Sequence, residues 1–245
     1  MTYLPHTIYL DLDDMAKYIL AIPTTGWSWR PVGITWHNTG VPSLKQWEAY
    51  PQAVKDAWGD NLDHYYKMNE GWHAGPHACG TPDKGIILGE FRANGVHASC
   101  YNGDHFGIET VGDFRTGGDD PLSGRGLLSM QSSANIIAAL CKRMGWEPAK
   151  VINFHRECKR DGHPCPGNLV TDQWALGLVE ARLVELDGAA PSSAPVAPPM
   201  LPSALVSSAH TLAQAVSEFQ RAAGLTADGD PGPDTRAAYL KAVAA

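Results

Sequence analysis

Three residues of this chain carry donor atoms of a kind and spacing that can hold a metal ion. They are His37 in ITWHNTG, His155 in VINFHRE and Cys165 in HPCPG. Both histidines end apolar, alternating runs that read as β-strands, where a side chain is held rigidly and still faces a cleft. Cys165 comes ten residues after His155, in a segment stiffened by Pro164 and Pro166 that can return beside the strand end. Two imidazoles and a thiolate make a tetrahedral zinc site with its fourth position open to water, the pattern of a catalytic metal. Such an ion brings the pKa of its water to about 7 and polarises a carbonyl. Taken singly, the same residues have plainer readings. A strand-end histidine is more often a hydrogen-bonded structural group, and an isolated cysteine a small buried apolar residue.

The surrounding segments are ITWHNTG, GWHAGPHACGTPDKGIIL, GVHASCYN, HFGIETVGDF and NFHRECKRDGHPCPGN. In this order, over residues 30 to 170, they resemble the type-2 N-acetylmuramoyl-L-alanine amidases, a family that includes phage endolysins and is related to the peptidoglycan recognition proteins. The resemblance implies one zinc ion per chain on His37, His155 and Cys165. It implies a catalytic acid/base at Glu109 in the GIE strand, where a cleft-facing carboxylate can relay a proton from water to a leaving nitrogen; an exposed strand Glu is the alternative. His163 stands where the family usually has Lys or Thr to steady an oxyanion, a hydrogen bond that imidazole can also donate. His163 competing as a ligand, or Lys159 or Arg160 supplying the charge, stay open. His97 and Asn102 match groove-lining, substrate-binding positions, with local turn structure as their other reading. His77 matches a structural residue beside the site, and Trp72-His73-Ala74-Gly75 imitates the GVHAS segment without its distance to GIE.

The implied reaction is hydrolysis of the amide between the lactyl group of N-acetylmuramic acid and L-alanine in bacterial peptidoglycan. Three other readings remain: a recognition protein that binds without cutting, a zinc peptidase acting within the stem peptide, and an α/β protein with structural histidines. Cys79, Cys100, Cys141 and Cys158 lack the CxxC spacing of a second, structural zinc. A Cys79–Cys100 disulfide stays open for an oxidising exterior.

These residues need a scaffold, and the hydrophobic pattern supplies one. Strands are expected at Val32–His37, Ile86–Phe91, His105–Val111 and Val151–His155. Ser43 with Gln46 forms a capping-box pattern opening a helix that Pro51 interrupts. An amphipathic helix runs from Ser129 to Gly145, and Thr171 caps a last helix whose inner face includes Trp174, Leu178 and Val179. Interleaved strands and helices predict an α/β fold, a central mixed β-sheet flanked by helices.

Gly188 to Pro202 reads GAAPSSAPVAPPMLP, an uncharged stretch that cannot build a core. It predicts a catalytic domain over 1–187, a linker over 188–202 and a small all-α module over 203–245. Within that module AVSEFQRAAGLTADGDPGPDTRAAY resembles the type-1 peptidoglycan-binding domain, which implies a wall-binding role. Asp228, Asp230 and Asp234 imitate a calcium loop but lack its twelfth-position Glu.

A net charge of -7 and a pI near 5.8 argue against nucleic acid as a partner. No run of about 18 apolar residues predicts membrane insertion. Met1 to Met15 shows no basic, then apolar, leader pattern. The expectation is therefore a monomer made in the cytoplasm that reaches the cell wall through a separate pore, as a phage endolysin does.

Overall fold

A computed structural model describes residues 7–188 and Arg221. The chain divides into two units, Met1–Pro195 and Val196–Ala245, and every element below belongs to the first. The expected linker over 188–202, apart from Gly188, and the expected module over 203–245, apart from Arg221, fall outside the described residues.

The order is β1 (Ile8–Leu10), α1 (Leu12–Ala21), β2 (Gly33–Trp36), α2 (Leu44–Ala49), α3 (Gln52–Met68), β3 (Ala78–Gly80), β4 (Gly85–Ile87), β5 (His105–Thr110), α4 (Gly124–Met144), α5 (Pro148–Val151), β6 (Ile152–Phe154) and α6 (Asp172–Leu186). One mixed sheet of six strands runs β1-β4-β3-β5-β2-β6. The portion β3-β5-β2-β6 is parallel, and β4 joins β3 and β1 antiparallel. The fold is thus the α/β arrangement that the sequence pattern predicts.

Central parallel strands are covered on both faces, which is why β2 is buried at all four positions and reads as an apolar run. One face, carrying Trp36 and Thr110, lies against α4. Trp36 Nε1 donates to Thr110 Oγ1 at 2.8 Å, and that hydroxyl donates to Ser133 Oγ on α4 at 2.7 Å. Ser129 and Ser133 in turn donate to the carbonyls of Val111 and Glu109 at 2.7 and 3.0 Å. These short side chains let the helix sit low on the sheet and satisfy the strand ends. Ile136, Ile137, Leu140 and Cys141 of α4 are buried and continue the core toward α1 and α6. Gly145 ends the helix with φ +68°, and Trp146 N–H returns to the Cys141 carbonyl at 2.8 Å, a closure that glycine accommodates without strain.

Several elements differ from expectation. The Ile86–Phe91 strand stops at Ile87, because Leu88 and Gly89 both donate to the His77 carbonyl and turn the chain away. Helix α4 starts five residues before Ser129, at Gly124. The Ser43–Gln46 capping box is present in full, and the chain does break at Pro51: α2 stops at Ala49, and Pro51 stands as the N-cap of α3. Helix α3 escaped detection because its apolar residues are few among polar ones: only Gly59 is fully buried, with Trp58 and Leu62 packed half-buried on the core. Thr171 caps α6 through Trp174 N–H, but the deepest residues of that helix are Ala175 and Val179, with Trp174 and Leu178 half-buried. Among the described residues no helix is long and apolar enough to cross a membrane.

Candidate metal centre

Strand register brings the donor groups together. Trp36 on β2 pairs with Ile108 on β5 and with Phe154 on β6, all in parallel. The next position along each strand holds His37, Glu109 and His155. His37 N–H continues the ladder to the Ile108 carbonyl at 2.8 Å. Across β5, Cys79 stands opposite Glu109. A line of reactive side chains thus lies toward the carboxyl ends of adjacent parallel strands, where open α/β sheets form their binding crevices.

Cys165 arrives from the loop before α6, its carbonyl accepting from Arg156 N–H at 2.7 Å. Donor atoms of His37, His155 and Cys165 all lie within 4.8 Å of one another, with Cys165 Sγ 3.8 Å from His37 Nδ1. A tetrahedral zinc with its usual bond lengths sets donors about 3.3–3.6 Å apart. The three residues therefore fit such an ion in type, and their donor atoms stand somewhat wider apart than a bound zinc would draw them. Among the described residues no second group of this kind gathers.

The hydrogen bonds fix the proton positions. His97 Nε2 lies 3.0 Å from the His105 carbonyl, which only accepts, so that nitrogen carries the proton. Burial pushes the His97 pKa down to about 3, which keeps the ring neutral and makes Nδ1 an acceptor. His37 Nε2, 3.1 Å from that Nδ1, must then be the donor. The lone pair of His37 is left on Nδ1, the atom that faces Cys165. Burial, and then the neighbouring imidazoles, hold the His37 pKa well below its ordinary value, so this lone pair persists at neutral pH. On the other imidazole, His155 Nε2 donates to Asp161 Oδ2 at 3.0 Å, which leaves the Nδ1 lone pair free to meet a metal. Its pKa is lowered by burial against the opposing pull of Asp161.

Burial also drives the Cys165 thiol upward, opposed by the Asn38 N–H that reaches Sγ at 3.1 Å. A cation in the pocket is what would convert this thiol to thiolate. Glu109 is half-buried as a residue, yet its Oε2 is enclosed and meets no donor. Burial raises its pKa to about 8.

Residues 28–168 match the sequence profile of the N-acetylmuramoyl-L-alanine amidases. The chain belongs to that family. It is an enzyme, a peptidoglycan amidase. Residues 208–238 match a putative peptidoglycan binding domain. No curated protein sequence matches the amidase. Among solved structures, Drosophila PGRP-LB is 18% identical, over 67% of this chain and 86% of that one, with a TM-score of 0.43. The Ph2119 endolysin of a Thermus scotoductus MAT2119 bacteriophage is 20% identical, over 61% and 85%, TM-score 0.43. Staphylococcus aureus hydrolase AmiA is 15% identical, over 74% and 93%, TM-score 0.43.

The other expected site residues of the amidase fall into two groups. His163 stacks parallel on His155, with centroids 5.1 Å apart and planes 4° apart. It lines a cavity of about 210 Å³ with Asn38, Val41, Arg115 and Cys165. Lys159 and Arg160 are exposed on the loop before it. His97 and Asn102 are occupied inside the protein: both ring nitrogens of His97 are used, and Asn102 Oδ1 accepts from the N–H groups of His97 and Ala98 at 2.7 and 2.8 Å. The His97 ring lies over Gly107, where a β-carbon would come within 2.5 Å of it.

His77 stitches two segments, accepting from Gly107 N–H and donating to the Ala93 carbonyl. His73 is exposed and bonds to the Asn94 carbonyl. Cys100 pairs with Cys158 and not with Cys79, which is buried in β3 opposite Glu109 where an exposed loop does not reach. Sequence reasoning missed Asp161, whose carboxylate is held at about 2 chiefly by Ser99. Its one sequence signal was an acidic residue inside the short span between the candidate ligands His155 and Cys165.

Proposed function

We propose that this amidase hydrolyses the bond between the lactyl group of N-acetylmuramic acid and L-alanine with a zinc ion held by His37, His155 and Cys165. The observation that carries the reading is the convergence of three donor atoms of zinc-binding type beside a carboxyl oxygen that has no partner of its own. When bound, zinc supplies a Lewis acid and a water of lowered pKa.

The chain's own residues supply the rest. His37 and His155 present Nδ1 lone pairs fixed by partners behind them, so no ring has to turn when the ion enters. Glu109 takes a proton from the attacking water and returns it to the leaving nitrogen, and its raised pKa suits a group that must both accept and release near neutral pH. His163, at the cavity rim, donates to the carbonyl oxygen as negative charge develops there. Asn38 and Arg115 border the cavity that receives the stem peptide. His97 and Asn102 serve the site by holding its wall, through the two ring nitrogens of His97 and through Asn102 Oδ1.

The C-terminal segment, over the proposed boundaries 203–245, tethers the enzyme to its insoluble substrate and raises its effective concentration there. An amidase joined to a wall binder is the equipment of a phage endolysin, and we assign that role.

The test pairs metal analysis with product analysis on purified peptidoglycan, for the wild type and Cys165→Ala. About one zinc per chain, and stem peptides with free N-terminal L-alanine that vanish in the variant, are expected. Bound zinc without cleavage would mark a recognition protein, and cuts inside the stem a peptidase.

A further inference from the structure

His155 stands where the sheet gives least help. Strand β6 is the sheet edge and ends at Phe154, and His155 opens a single 3-10 turn to Glu157. Its ring is aimed by the turns on its C-terminal side. Cys158 N–H closes the first on the His155 carbonyl at 2.9 Å, and Asp161 N–H closes the next on the Cys158 carbonyl at 3.1 Å. These two turns bring the Asp161 carboxylate back to His155 Nε2 at 3.0 Å.

The carboxylate is itself fixed from a distant segment. Ser99 N–H donates to Asp161 Oδ2 at 2.8 Å, and Ser99 Oγ donates to Oδ1. Beside Ser99, Cys100 is joined covalently to Cys158. The same short loop carries His97, whose ring sets the tautomer of His37. Asn102 closes that loop by accepting from two of its N–H groups. One loop, residues 97–102, therefore stands behind both imidazoles of the metal centre, through a neutral ring on one side and a carboxylate on the other.

We propose that Asp161 is a positioning residue for His155, and that Ser99 and the Cys100–Cys158 disulfide hold Asp161 in place for that task. The inference rests on the zinc reading above. A carboxylate that accepts from the far nitrogen of a ligand imidazole fixes its orientation and makes it a better donor. Had Asp161 been a simple turn residue, its oxygens would face solvent; three donors converge on them here.

The experiment measures zinc dissociation constants by competition with a chelator, on the full chain, for the wild type, Asp161→Ala and Asp161→Asn. The cobalt(II) visible spectrum serves as a second readout of ligand geometry. Asp161→Ala is expected to weaken zinc binding about ten- to a hundredfold and to alter the cobalt bands. Asp161→Asn keeps an oxygen acceptor and loses its charge, so it should fall between the other two. It also keeps the test decisive should the alanine variant fail to fold. A wild type that takes up no zinc defeats the zinc reading and this inference with it. Wild-type uptake with unchanged affinity in a folded Asp161 variant overturns this inference alone.

Discussion

His37 and His155 face one point from neighbouring strands, yet the sheet holds the first and a loop holds the second. His37 is 2% exposed, its strand runs between β5 and β6, and its own N–H extends the ladder. Its backing partner is a neutral imidazole. His155 lies beyond an edge strand, in a 3-10 turn, and is backed by a carboxylate from a disulfide-joined loop. Charge-assisted hydrogen bonds are roughly twice as strong as neutral ones. Where the backbone already aims a ring, a weak contact that sets its tautomer suffices; where it does not, a charged contact and a covalent tie take over.

The sharpest way to break this comparison is to remove each ring. His37→Ala and His155→Ala should both abolish zinc binding, so the difference must be sought in metal-free protein. His37→Ala leaves a cavity in the sheet-covered interior and an unpaired acceptor on His97, at a cost of about 3 kcal/mol. His155→Ala, at a site with its side chain 12% exposed and with Ser99 still bound to Asp161, should cost about 1 kcal/mol. Urea midpoints in the presence of a chelator measure both. Equal losses would mean that the sheet gives His37 no special hold.

Glu109 extends the sheet-held side one strand further in. Glu109→Gln should lower kcat by about 10²- to 10⁴-fold with zinc content intact. It also carries a pH signature in the metal-free protein. The folded carboxyl titrates near 8 against an ordinary value of 4.5, because burial disfavours its charge. Below pH 4.5 both states hold the proton. From 4.5 to 8 the unfolded chain releases a proton that the folded chain keeps, so folding stability falls by up to ~1.4 kcal/mol per pH unit. Glutamine has no such loss, and its advantage over wild type should grow through this window and level off above it. Denaturant titrations at about pH 5, 6.5 and 8 would show it, and a constant difference would refute the burial of Glu109.

The same division governs what could be read from the sequence. His37 and Glu109 sit in or directly after apolar strands, β2 and β5, whose periodicity announces them. His155 and Cys165 were legible by type and spacing, together with the family's motifs. The layer behind them was not: Asp161, Ser99 and the Cys100–Cys158 pairing depend on a loop folding back across 58 residues of chain, and no local pattern encodes that contact. His97 was visible as a histidine in the right segment. Its direction was not, because that depends on the space above Gly107. Helix α3 and the short strands β1 and β3 were missed for a simpler reason, since a helix with few apolar residues and three-residue strands give little hydrophobic signal.

His97→Ala offers the finest test of the comparison. The ring contributes one neutral hydrogen bond to His37, and the strand still aims the imidazole when that bond is gone. Zinc affinity should therefore fall about tenfold, less than for Asp161→Ala, whose loss removes both the charge and the aim. The nitrogen chemical shifts of His37 in the metal-free protein give a reading that packing alone would not alter. With His97 present, the proton should reside on Nε2; without it, the two tautomers should mix. A His37 that keeps its Nε2 proton and its full zinc affinity without His97 would show that the strand sets orientation and tautomer together, leaving the backing layer with one working side, at His155.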